Sequence, residues 1–139
     1  MKRVICLAAL LVVCVPASAL AGTKQFNGTF SGGGTIKFKV HLKNGTPTKI
    51  SVLRWKHLPM DCAVGGTTQY NGGFGFSVTV ARRHFNTRGQ TPDGNIRSKF
   101  EGNFVKHGKQ AKGYLKIDGS FPDNGFSGCH SGKARFKAD

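Results

Sequence analysis

The chain has 139 residues and carries 21 Lys and Arg against 6 Asp and Glu, a formal net charge of +15 with histidines neutral, together with 20 glycines and 11 phenylalanines. That length holds one ordinary domain and is too short for two. So few carboxylates leave a glycosidase-type acid pair without evident candidates, and the positive excess directs attention to anionic partners.

Lys2 and Arg3 precede an apolar run from Val4 to Val15, and Ala17-Ser18-Ala19 and Ala19-Leu20-Ala21 offer overlapping small-residue cleavage sites. This is the pattern of a signal peptide over residues 1–21, cut after Ala21 and leaving an exported domain at 22–139, secreted or held in the cell envelope. The apolar run is well short of the ~20 residues that span a bilayer, so the protein is not expected to be membrane-spanning. Leu11-Val12-Val13-Cys14 loosely resembles a lipobox, but a valine fits poorly just before the cysteine. Removing Lys2 and Arg3 leaves 19 Lys and Arg against 6 Asp and Glu, or +13. Cys6 and Cys14 leave with the leader. Cys62 and Cys129 then remain in an oxidising compartment, and one intramolecular disulfide between them is the simple solution, worth about 4 kcal/mol in the chain-entropy model. Free thiols or an intermolecular bridge are the alternatives. Two cysteines so far apart lack the clustered spacing of a zinc site, and no metal or cofactor is expected.

Beyond the leader no sustained helical period occurs, whereas strict alternation recurs. Lys24 to Phe30 reads as a first strand. From Ile36 to Lys43, Ile36, Phe38, Val40 and Leu42 interleave with Lys37, Lys39, His41 and Lys43, giving one core face and one wet face. Asn44-Gly45 supplies a turn, and Thr48 to Leu58 returns as a strand. In it Ile50 and Val52 share one face but Leu53 and Trp55 share the other, a parity switch that predicts a bulge near Val52 or burial on both sides. Asp61 to Gly73, with Cys62 and two Gly-Gly pairs, reads as a loop. Phe74, Phe76, Val78 and Val80 alternate again. His84 to Asn95 is polar, rich in turn chemistry, and reads as a mobile connection. Strands follow at Ile96 to Val105 and Ala111 to Asp118, separated by a His107-Gly108 turn. Gly119 to Gly128 reads as a second turn-rich loop. The last strand alternates Gly132, Ala134, Phe136 and Ala138 with Lys133, Arg135 and Lys137, and Cys129 opens it. Seven or eight antiparallel strands with short turns make an all-β domain, either a sandwich or a closed up-and-down barrel.

Phe26-Asn27-Gly28-Thr29-Phe30 and Phe100-Glu101-Gly102-Asn103-Phe104 both read F-x-G-x-F, and each half later reaches a C-x-x-G, at Cys62 and at Cys129. The order suggests a duplication, with the bland alternative that phenylalanine fills the core while glycine lets strands bend. Together with the lysine-rich alternating strand, the late A-x-G-x-L at Ala111 to Leu115 and C-x-S-G-x-A-x-F-x-A at Cys129 to Ala138, this order of marks resembles small secreted β proteins of high-GC Gram-positive bacteria with no assigned function. The resemblance implies one β domain with a disulfide and carries over no binding or catalytic residue.

Lys37, Lys39, Lys43, Arg97, Lys99, Lys112, Lys116, Lys133, Arg135 and Lys137 occupy outward positions of the expected strands. On neighbouring strands they would form a positive face for phosphate, sulfate or carboxylate polymers or envelope components, although lysine on strand exteriors also keeps a β domain soluble. No specific nucleic acid is expected as a partner, because stacking needs exposed aromatics and only Trp55, Tyr70, Tyr114 and Phe126 stand off the core faces. Glu101 shares its strand face with Arg97 and Lys99, so a surface ion pair is expected there. His41, His57, His84, His107 and His130 are dispersed, no catalytic motif joins them, and a basic hydrolase or nuclease is the weaker alternative. A small barrel carrying an apolar ligand is another, opposed by the inward phenylalanines. The favoured reading is a non-enzymatic binding or interaction module.

Overall fold

Nine antiparallel strands carry this alternation in a computed structural model that describes residues 21–139. They are β1 (Ala21–Phe30), β2 (Thr35–Lys43), β3 (Thr46–Val64), β4 (Gly66–Thr79), β5 (His84–Gln90), β6 (Ile96–Val105), β7 (Gln110–Phe121), β8 (Phe126–His130) and β9 (Ala134–Ala138). The expected leader lies outside the described residues, except for Ala21, which begins β1. No described helix is long and apolar enough to cross a membrane.

The strands form one sheet in the order β4-β3-β2-β1-β9-β7-β6-β5, and β8 pairs with both β3 and β7. Following the pairings from β3 through β2, β1, β9, β7 and β8 leads back to β3. A ring of six strands therefore closes, with β4 on one flank and the β6–β5 pair on the other. The result is the expected all-β domain, one antiparallel sheet folded into a sandwich- or barrel-like arrangement. Closure is possible because β3 and β7 are long enough to serve two partners in succession along one edge. On β3, Thr46–Lys56 pairs with β2 and Asp61–Val64 with β8; on β7, Ala111–Leu115 pairs with β9 and Asp118–Phe121 with β8.

Phenylalanine fills the space between the two sides of this folded sheet. Phe38 of β2 meets Phe85 of β5, Phe100 of β6 and Phe136 of β9 at centroid distances of 6.5, 5.7 and 6.0 Å, and Phe26 of β1 meets Phe104 of β6 at 5.5 Å. These rings occupy the interior that a carried apolar ligand would need.

Two of the predicted local features are present with their backbone signatures. Asn44 and Gly45 both have positive φ, 51° and 74°, as a two-residue hairpin turn requires. Val52 is the bulge residue, skipped in the β2–β3 register and standing at φ 52°. A second bulge follows at Lys56 and His57, with His57 at φ 54°.

Several expected boundaries are displaced. Asp61–Gly73 is not a loop: β3 and β4 pair as a hairpin as far as Cys62 and Gly66, and β8 pairs with the other edge of β3 from Asp61 to Val64. His84–Asn95 is not a mobile connection over its first part, where β5 pairs residue by residue with β6 and buries Phe85 as its single core anchor. The Gly119–Gly128 segment contains strand at both ends, and only Pro122–Asn124 with Gly125 turns. Cys129 does not open the last strand but belongs to β8, separated from β9 by residues 131–133. Trp55 is buried at 2% exposure, against Gly72, Tyr70 and Phe74 on β4.

The two F-x-G-x-F segments lie on β1 and β6, and each leads into an antiparallel partner, β2 and β7. The halves then diverge. β4 stays paired to β3, whereas β9 leaves β8 and inserts between β1 and β7.

Candidate anion-binding surface

Alternation directs one side chain of every pair into the phenylalanine core and the next outward, so cations at alternate positions share the outer face. Which cations become neighbours is decided by the strand order. Because β9 lies between β1 and β7, one transverse line of paired residues runs Lys56, Thr35, Thr29, Lys137, Lys112. All five are exposed. At about 4.8 Å per strand, the line is roughly 19 Å long.

Beside this line Lys37 is paired with Arg54 and with Asn27, and one step further Lys39 is paired with Ser51 and Gln25. On the other side Arg135 is paired with Tyr114, and the Lys133 ammonium stands 5.1 Å from the Tyr114 ring centroid. Lys43 lies at the far end of β2, next to the Asn44-Gly45 turn. Lys133 precedes β9 and is not within a strand.

The remaining members of the expected set have acidic company. Lys99 bonds Glu101 at 2.6 Å and Lys116 bonds Asp118 at 2.8 Å. Arg97 is paired in register with Asp118. The Tyr114 hydroxyl donates to the same Glu101 oxygen at 2.8 Å. Lys99, as the first hydrogen-bond donor, and Tyr114, as the second, hold the Glu101 carboxyl below its usual range, and the Lys99 ammonium is correspondingly raised.

The ten cations are therefore of two kinds. Arg97, Lys99 and Lys116 face carboxylates across or along β6 and β7. Lys37, Lys39, Lys43, Lys112, Lys133, Arg135 and Lys137 form no ion pair among the described residues. Two further unpaired cations, Arg54 and Lys56, complete the second group. Arg54 was hidden in the sequence by the Val52 bulge, which reverses the parity from Leu53 until the second bulge restores it at Leu58. Arg88, paired with Lys99, was hidden because β5 reads as a loop.

Among the described residues no three His, Cys, Asp or Glu side chains form a metal-binding group. The histidines are spread over β2, the second β3 bulge, β5, the turn after β6, and β8. His41 Nε2 and Ser51 Oγ are 2.8 Å apart, but among the described residues no carboxylate bonds the imidazole to orient it as a general base. His84 Nδ1 lies 3.1 Å from Asn103 Oδ1. Of the aromatics expected off the core faces, Tyr70, Tyr114 and Phe126 are half-buried, and only Tyr114 lies in the cationic band.

Comparison with known proteins finds no family model, no curated protein and no solved structure that matches this chain.

Proposed function

We propose that this is an exported, non-enzymatic module that binds anionic polymers or anionic components of the cell envelope through the outer face of β2, β3, β9 and β7. One observation carries the reading. Lys37, Lys39, Arg54, Lys56, Lys112, Arg135 and Lys137 lie on one outward band and form no ion pair among the described residues. Lysines retained only for solubility gain from interspersed carboxylates, and here these seven cations have one acidic neighbour within the band, Asp139, whose backbone pairs with Asn27. The Cys62–Cys129 disulfide is consistent with an oxidising compartment.

Such a surface binds by releasing counterions, so affinity must fall steeply with salt. Retention of the folded protein on heparin at low ionic strength, with elution moving to lower salt in a Lys112→Gln/Lys137→Gln variant, is the expected result. Retention that is absent at low salt, or indifferent to salt, would remove the proposal.

A further inference from the structure

We infer that the groove between β7 and β9 takes one acidic sugar unit of a polysaccharide, its ring on Tyr114 and its carboxylate or sulfate on Lys112, Lys133 and Arg135. This rests on the anion-binding reading and adds the chemical class of the polymer.

The groove is lined by Lys112, Gly113, Tyr114, Lys133, Arg135 and Phe136 and encloses about 430 Å³. Tyr114 is half-buried on its floor, with its hydroxyl bonded to Glu101, so the ring is held in place before any ligand arrives. Three cations without ion pairs among the described residues surround it: Lys112 two positions earlier on the same strand face, Arg135 opposite it on β9, and Lys133 with its ammonium against the ring. Arg135 offers the planar fork that matches a carboxylate or sulfate.

Lys133 has two available interactions of unequal strength. In the free protein its ammonium rests near the ring as an exposed cation–π contact, which is weaker than a charge-assisted hydrogen bond to an oxyanion. An arriving anion draws Lys133 off and exposes the ring for the apolar C–H face of the sugar. Lys99 also approaches the ring, at 5.4 Å, but is tied to Glu101 and stays.

The band has many cations, and of the aromatics that line it Trp55 and Phe136 are buried, which leaves Tyr114 as the accessible ring among the described residues. A bare phosphate chain has no use for the ring. A single-stranded nucleic acid uses a series of stacking platforms along its backbone, and the band supplies one.

The test compares polygalacturonate, polyphosphate and single-stranded DNA as probes of the folded wild type, Tyr114→Ala and Tyr114→Phe. Tyr114→Ala should weaken polygalacturonate binding about fivefold, the equivalent of ~1 kcal/mol for one ring contact, and leave polyphosphate unchanged. Tyr114→Phe loses the same hydroxyl bond to Glu101 but keeps the ring, and should bind polygalacturonate like wild type. That separates the platform from any disturbance of Glu101. Equal losses for polygalacturonate and polyphosphate, or no loss for either, would overturn the sugar site while leaving the anion surface standing. A larger loss for DNA than for polygalacturonate would overturn the ligand class. Failure of the wild type to bind any of the three at low salt would instead defeat the broader reading.

Discussion

Cys62 on β3 and Cys129 on β8 stand directly opposite one another, Cα atoms 3.9 Å apart, and their disulfide joins the strands whose pairing closes the six-stranded ring. The bond spans 67 residues of sequence, so its removal frees a long segment of the unfolded chain. A Cys62→Ala/Cys129→Ala variant should lose up to about 4 kcal/mol, read from urea unfolding. Heparin retention of the molecules that remain folded should persist, because the candidate binding cations lie off β8. A loss under ~1 kcal/mol would show that strand pairing alone secures β8.

Val52 and His57 occupy the left-handed region, at φ 52° and 54°, where a side chain ordinarily costs about 1–2 kcal/mol. His57 is exposed and Val52 half-buried. His57→Gly should therefore stabilise the protein by roughly 0.5–1 kcal/mol, while Val52→Gly gains less because it also gives up apolar burial. Thermal or urea unfolding of both variants tests the bulges. Destabilisation by both would mean that the loops rely on side-chain contacts more than on backbone freedom.

Glycine recurs where strands press together. A Cβ at Gly113 would overlap the Glu101 carbonyl and the Gly102 backbone, and one at Gly28 would overlap the Lys137 carbonyl and Ala138. Gly113→Ala and Gly28→Ala should each cost about 1–3 kcal/mol. Gly22→Ala, with nothing within 4 Å of the added methyl, should stay within ~0.5 kcal/mol. Equal effects at all three positions would refute close approach as the reason for the F-x-G-x-F glycine on β1.

The Lys99–Glu101 pair makes a prediction about pH. Glu101 is lowered from its ordinary 4.5, so its contribution is present above that value and fades as pH falls through the folded midpoint. Lys99 is raised from 10.5, so its contribution is present below that value and fades as pH rises through its folded midpoint. Carboxyl NMR titration should place the Glu101 midpoint below 4.5. Lys99→Met should raise it more than Tyr114→Phe, since the lysine hydrogen bond has the larger effect. The reverse order would assign the shift to the tyrosine.

What could be read from the chain was local. The Asn44-Gly45 turn and the parity break at Val52 are written in neighbouring residues, as is the Lys99–Glu101 contact two positions apart on one strand face. What could not be read was pairing at a distance. Asp61–Gly73 carries the glycines of a loop, yet β3 and β4 pair through it as far as Cys62 and Gly66, and β8, arriving from far along the chain, holds the other edge of β3 out to Val64. β5 has one buried phenylalanine, too little apolar signal to distinguish it from a turn. The cationic set was legible as a list of outward lysines but not as a surface. Nothing near Lys137 in sequence indicates that β9 places it beside Lys112 and two strands from Thr35.

That placement of β9 also sets an order of events. β9 follows the other eight strands in the chain and supplies both the link between β1 and β7 and the Phe136 ring between Phe38 and Phe100. Until it emerges, the two halves of the sheet have open edges where they should be joined, and their phenylalanines lack a covering layer. Joining of β1 to β7 must then wait for β9, with long-range pairing as the slow step. The candidate binding face is thus assembled only when β9, the last of the nine strands to emerge, is laid in the middle of the sheet.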